Sequence, residues 1–157
     1  MSRRIFLRDG ALAAAATLAV IGVAPGAPLA EAVRLTEPLA VKGNERSYEI
    51  PAGDGVSIDA ANEVILVRWQ GRGYAFALAC PHRGARLQWH ADEGRVFCPK
   101  HKARFRPDGA HDSGRESRNL DRYDIRRQGN ALTVALDTVR HSDADPVGWA
   151  AAVVTLA

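Results

Sequence analysis

Two short segments hold the residues of this chain best suited to chemistry: ACPHRGARL, with Cys80 and His82, and FCPKHKARF, with Cys98 and His101. The first is a C-x-H and the second a C-x-x-H, separated by fifteen residues, and together they use both cysteines of the protein. A thiolate suits iron or zinc and an imidazole suits either, so ligand type leaves an iron-sulfur cluster and a Cys2His2 zinc site in play. Zinc sites of that composition pair Cys with Cys and His with His, each pair hanging from one local turn. Here each turn supplies one Cys and one His. That is the set a 2Fe-2S cluster needs when one iron takes two thiolates and the other two imidazoles. Two buried thiols beside unrelated surface histidines would be the uneventful alternative. Two independent Cys-His pairs, each followed by basic and small residues, argue against it.

Strands must bring such loops together, and the pattern from Glu63 to Gln128 is strand-like. VILVRWQ, a turn at Gly71 to Gly73, and YAFALA read as a hairpin rich in β-branched and aromatic residues, with Cys80 opening a loop at its end. Arg95 to Cys98 is a short strand feeding the second loop, and Ala103 to Arg106 leads into a Pro107-Asp108-Gly109 turn. DRYDIRRQ and ALTVALD around Gly129-Asn130 form another hairpin, with Tyr123, Ile125, Leu132, Val134 and Leu136 pointing inward. The stretch from Gly109 to Ser117 reads as a loop, and His90, His111 and His141 as residues of solvated loops. Asp145-Pro146 looks like an N-cap with Pro at N1, so the tail from Val147 to Leu156 is either a helix or a last edge strand. The expected fold class is all-β.

ACPHRGARL and FCPKHKARF resemble the two cluster-binding boxes of the Rieske family, and with the flanking strands the resemblance covers about residues 60 to 137. It implies an antiparallel β-sandwich with a small cluster-binding subdomain formed by two loops. It also implies one Rieske-type 2Fe-2S cluster, with Cys80 and Cys98 on the inner iron and His82 and His101 on the outer, surface-facing iron. Family members of cytochrome bc complexes carry a further Cys in each box, joined as a disulfide; Ala85 and Lys100 stand at those positions here. High-potential members place a Ser and a Tyr after the second box to hydrogen-bond sulfur, and here the matching residues are Ala103 and Phe105. Such bonds stabilise the reduced state, so their loss implies a potential in the lower part of the range of roughly −150 to +300 mV.

The chain opens SRRIFLRDG and continues ALAAAATLAVIGVA before Pro25, which resembles a twin-arginine export signal. The apolar run of fourteen residues is short of the roughly 20 that span a bilayer comfortably. An A-x-A cleavage site exists at Ala30-Glu31-Ala32, giving a signal over residues 1–32 and a Rieske domain over 33–157. The expected location is periplasmic, with a membrane association only if the signal is kept as an anchor. The 125 residues after Ala32 make one domain, with no room for the mononuclear-iron domain of an oxygenase.

Charge is uneven. Residues 83–127 hold twelve Lys or Arg against seven Asp or Glu, an excess around the cluster boxes. Arg83, Arg86, Lys100, Lys102 and Arg104 could form a collar that steers an acidic redox partner, a cytochrome or an oxidase large subunit. Nucleic acid is not an expected partner of an exported chain. No catalytic residue set is evident. The leading expectation is therefore a one-electron carrier, or the small electron-transfer subunit of a periplasmic or respiratory redox complex. The alternative is a secreted structural Cys2His2 zinc-binding domain with no redox role.

Overall fold

The computed structural model describes residues 33–115 and 118–156; the export-signal reading of residues 1–32 lies outside the described residues. The chain begins with β1 (Arg34–Leu35), β2 (Ala40–Lys42), β3 (Glu45–Glu49) and β4 (Gly55–Asp59). The expected first hairpin follows as β5 (Val64–Trp69) and β6 (Arg72–Ala77). Then come four short strands, β7 (Gln88–His90), β8 (Arg95–Phe97), β9 (Arg104–Phe105) and β10 (His111–Ser113). The second hairpin is β11 (Arg122–Gln128) and β12 (Ala131–Arg140), followed by helix α1 (Pro146–Ala151) and β13 (Val154–Thr155).

Among the described residues these make two sheets. The larger runs β1-β4-β5-β6-β11-β12-β3-β2, with β13 also on β6, and the smaller runs β10-β9-β8-β7. Every pair is antiparallel except β1 with β4. The protein is thus all-β, an antiparallel sandwich with curled sheets and a small subdomain, as expected.

The β5 sequence VILV is a continuous apolar run because both faces of that strand are covered. Ile65 and Val67 join Tyr74, Phe76, Val96 and Phe105 in one cluster, which reaches into the small sheet. Val64 and Leu66 face the other way, with Ala75 of neighbouring β6, onto Tyr48 and Val134 from the curled far half of the large sheet. Full burial of side chains such as Ile65 or Phe76 stabilises by about 1.5–3 kcal/mol each. Cys80 and Cys98 belong to the first cluster, so the apolar layer that holds the two sheets together also holds the roots of both candidate loops.

Three local readings need correction. The first hairpin turns at Gln70-Gly71, both with positive φ, while Gly73 is inside β6. Val154 and Leu156 pack over Gly73, where a Cβ would lie 2.9 Å from a Val154 methyl, so the absent side chain is what lets β13 dock. The stretch expected as a loop from Gly109 contains strand β10. The tail is helix and then strand: Asp145 caps α1 through Gly148 N–H at 2.9 Å, and β13 adds to β6.

The turn after β4 shows how a charge is accommodated in the core. Asp59, 1 % exposed, accepts hydrogen bonds from the Tyr48 hydroxyl (2.9 Å), the Ala61 and Asn62 N–H groups (3.0 Å each) and the Asn62 amide (2.7 Å). Burial alone would raise its pKa, but the bonds from Asn62, Tyr48 and Ala61 outweigh burial and hold the carboxyl below its usual value. The stability this contributes is present above the unfolded carboxyl pKa and is lost as pH falls through the lower folded value.

Candidate metal centre

Both boxes are built on one backbone plan. Cys80 N–H donates to the Ala85 carbonyl and the Cys80 carbonyl accepts from Gly84 N–H, each at 2.8 Å. Cys98 N–H donates to the Ala103 carbonyl at 2.9 Å, and the Cys98 carbonyl accepts from Lys102 N–H at 3.0 Å. The offsets are the same, so C-x-H and C-x-x-H sit in equivalent turns. Each closes through a left-handed residue four positions after its Cys, Gly84 at φ 63° and Lys102 at φ 60°. A lysine held there costs roughly 1–2 kcal/mol that a glycine would not.

The thiols and imidazoles are separated by depth. Cys80 is 3 % and Cys98 1 % exposed, neither in a disulfide, while His82 and His101 are half-buried at the surface. The two imidazoles meet, with Nδ1 atoms 3.0 Å apart and rings tilted at 60°. Two nitrogens about 2.0–2.1 Å from one tetrahedral ion would span about 3.3 Å, so this separation suits a shared metal. Desolvation, then the proximity of His82 and of the charges on Lys100, Arg115 and Arg83, hold His101 below the usual imidazole pKa. That favours the neutral form, which has a lone pair to give. Among the described residues no three His, Cys, Asp or Glu side chains stand close enough to hold one ion. Two buried thiols and two facing surface imidazoles are the donor set that a mixed-ligand 2Fe-2S cluster takes.

The residues around the pairs differ in part from expectation. Ala103 and Phe105 are 1 % and 0 % exposed, so the positions after the second box are buried and offer no hydroxyl. Arg83, Arg86, Lys100 and Lys102 are exposed, but Arg104 is held by Glu93 at 2.7 Å and leaves the collar. Arg115 takes its place electrostatically, since its charge acts on His101. Of the other three histidines, two lie in strands and the third, His141, in a loop as expected. His90 lies in β7 and stacks on Phe97 at 4.4 Å, His111 lies in β10 against Phe105, and His141 pairs with Asp121 at 2.8 Å.

Sequence reasoning missed the segment that joins the two loops. Gly114 lies against the backbone of Lys102 and Ala103 in the second, and Arg118 donates to the Pro81 carbonyl of the first at 3.3 Å. Nothing but a glycine in a polar stretch signalled this.

An all-β scaffold presenting two matched Cys/His loops, with thiols inside and imidazoles outside, defines an iron-sulfur protein of the mixed-ligand kind. The model of the Rieske [2Fe-2S] domain matches residues 44–124, just over half of the chain, and the protein belongs to that family. Membership implies a 2Fe-2S cluster and weighs against the zinc alternative. The cytochrome b6-f complex iron-sulfur subunit of Chlorobaculum thiosulfatiphilum is 29% identical over 92 residues, covering 57% of this chain and 50% of that protein. The subunit of the same description from Chlorobaculum tepidum is 27% identical over 140 residues, covering 85% of this chain and 75% of that one. The chain thus spans half the length of the first relative and three quarters of the second. Among solved structures, the plasma membrane Rieske protein PetC3 from Synechocystis PCC 6803 is similar at 27% identity and a TM-score of 0.41, over 58% of this chain and 85% of that one.

Proposed function

We propose that this chain is an exported one-electron carrier, or the small electron-transfer subunit of a periplasmic or respiratory redox complex. In this reading Cys80 and Cys98 bind one iron of a Rieske-type cluster and His82 and His101 the other. The observation that carries the reading is the pairing of the His82 and His101 Nδ1 atoms, 3.0 Å apart at the surface, above two cysteines buried in the core. When bound, the cluster accepts and releases one electron, and the half-exposed imidazoles give that electron a short path to a docked partner. The protein's own residues keep water from the thiols and orient the rings. Residues 1–32 serve as a twin-arginine signal, the route that carries folded proteins, so a cluster inserted before export survives the crossing. The domain then works in the periplasm, or on the outer face of the membrane if the signal is retained. With Ala103 and Phe105 in place of hydroxyl donors, its potential lies in the lower part of the family range.

The purified full-length protein is expected to be red-brown, with two irons per chain and a rhombic EPR signal on reduction. Cys98→Ser and His101→Ala should each abolish that signal. A colourless protein with one zinc per chain would overturn the reading.

The partner is a redox protein with an acidic docking face. Similarity to iron-sulfur subunits of cytochrome b6-f complexes supports a cytochrome, and the exposed Arg83, Arg86, Lys100 and Lys102 around the imidazoles supply the complementary charge. Electron transfer to an acidic cytochrome should then slow about tenfold or more between low and roughly 0.3 M salt, as screening shortens the reach of the field. A stopped-flow rate indifferent to ionic strength would remove the basic rim from docking.

A further inference from the structure

No covalent bond ties the two boxes together, because the chain has only two cysteines and neither is in a disulfide. An ionic network takes hold of the first box instead. Arg118, just before β11, has a side chain only 21% exposed, and its Nη2 donates to the carbonyl of Pro81, the residue between Cys80 and His82. The same guanidinium forks onto Asp121, with Nη1 2.6 Å from Oδ1 and Nη2 3.2 Å from Oδ2. Asp121 is 13% exposed, and its Oδ1 lies 2.8 Å from His141 Nδ1, which is also 3.0 Å from Arg118 Nη1. At the solvent end Asp143 reaches Arg118 at 3.5 Å. The backbone is pinned as well: Ala77 N–H donates to the Asp121 carbonyl at 3.0 Å, and Asn119 N–H to Ser142 Oγ at 3.1 Å.

A bidentate Arg-carboxylate fork fixes the plane of the guanidinium, and here the fixed plane is aimed at the peptide leading into His82. We propose that Arg118, held by Asp121 and His141, is a positioning residue for the iron-sulfur cluster: it sets the first loop mechanically and, with Asp121, sets the charge that an arriving electron meets. The inference rests on the ligand assignment above. Its two members act with opposite sign. A cation near the cluster makes electron addition easier and an anion makes it harder, and partial burial of the pair weakens solvent screening.

The test is an EPR-monitored redox titration of the full-length holoprotein and of R118Q, R118K, D121N and R118Q/D121N, each with iron content measured. R118Q should shift the electron-binding equilibrium against reduction by about fivefold or more, which at 59 mV per tenfold for one electron is about 40 mV downward. D121N should shift it the opposite way and the double variant should fall between. R118K keeps the charge but loses the fork, so its potential should stay within about twofold of the parent in equilibrium constant while its EPR g values move. Loosening of the loop alone would move R118Q and D121N in the same direction, and that outcome, or no movement in either, overturns the proposal. Should R118Q not accumulate, D121N and R118K still decide it. A parent protein without a rhombic signal would remove the ligand assignment and this inference with it, whereas a normal parent with unmoved variants removes this inference alone.

Discussion

Gly114→Ala is expected to cost about 2–5 kcal/mol and to strip most of the iron from the purified protein. Gly114 has φ +92°, where an L side chain is strained, and a Cβ built there would lie 2.5 Å from both the Ala103 Cα and the Lys102 carbonyl oxygen. Those neighbours are backbone, and they belong to the turn in which Cys98 N–H bonds the Ala103 carbonyl. A flexible side chain could swing aside; this turn can only move as a unit, carrying Cys98 and His101 with it. Strain and overpacking each contribute about 1–3 kcal/mol, and the midpoint of thermal unfolding should fall by roughly 10 °C or more. Gly84→Ala is the control. It too has positive φ, but a Cβ there meets nothing within 4 Å, so the cost should be about 1 kcal/mol with the EPR signal kept. Equal losses in the two variants would show that conformation alone matters and that the contact with the second loop does not.

The second large effect is expected away from the cluster. Arg122→Ala should destabilise the fold by about 3–5 kcal/mol, read from urea denaturation at pH 7. Arg122 is 4 % exposed and lies between the β6 aromatics and helix α1, with its guanidinium 3.6 Å from the Trp149 ring centroid and 5.0 Å from that of Tyr74. Nη1 donates to the Trp149 carbonyl at 2.6 Å and Nη2 to the Asp108 carbonyl at 2.7 Å, while Nε makes no hydrogen bond. Burial pushes the guanidinium pKa down to about 10, a sign of what the site costs the charge. Truncation relieves that cost but leaves two carbonyls without their donors, at about 1–3 kcal/mol each, and an empty slot among three rings. Arg122→Lys retains the charge and loses the planar stacking and the fork, so it should fall between. A loss below about 1 kcal/mol for the alanine variant would mean that α1 and the 107–109 turn are held by other contacts.

What was legible beforehand follows the range of the interactions involved. The hairpins of β5 with β6 and of β11 with β12 could be read because alternation and turn chemistry act over a few residues. The placing of the first turn on Gly73 failed because its lack of a side chain serves a contact with Val154 and Leu156, some eighty residues on. β1 to β4 went unread because they are short and gain their stability from distant partners, as when β3 pairs with β12. His141 does stand in a loop, as expected, but its pairing with Asp121 and Arg118 could not be read, and Arg104 looked free until Glu93 took it.

The four candidate ligands, their Cys/His pairing and the missing disulfide and hydroxyl donors were determined by the sequence alone, since ligand type and spacing within one turn are local covalent facts. Only the tertiary structure decided that the loops face each other, that Gly114 braces the second, and that Arg118 grips the first. Those contacts join residues 19 to 37 positions apart or pack backbone on backbone, and they exist because the two sheets close over one apolar layer.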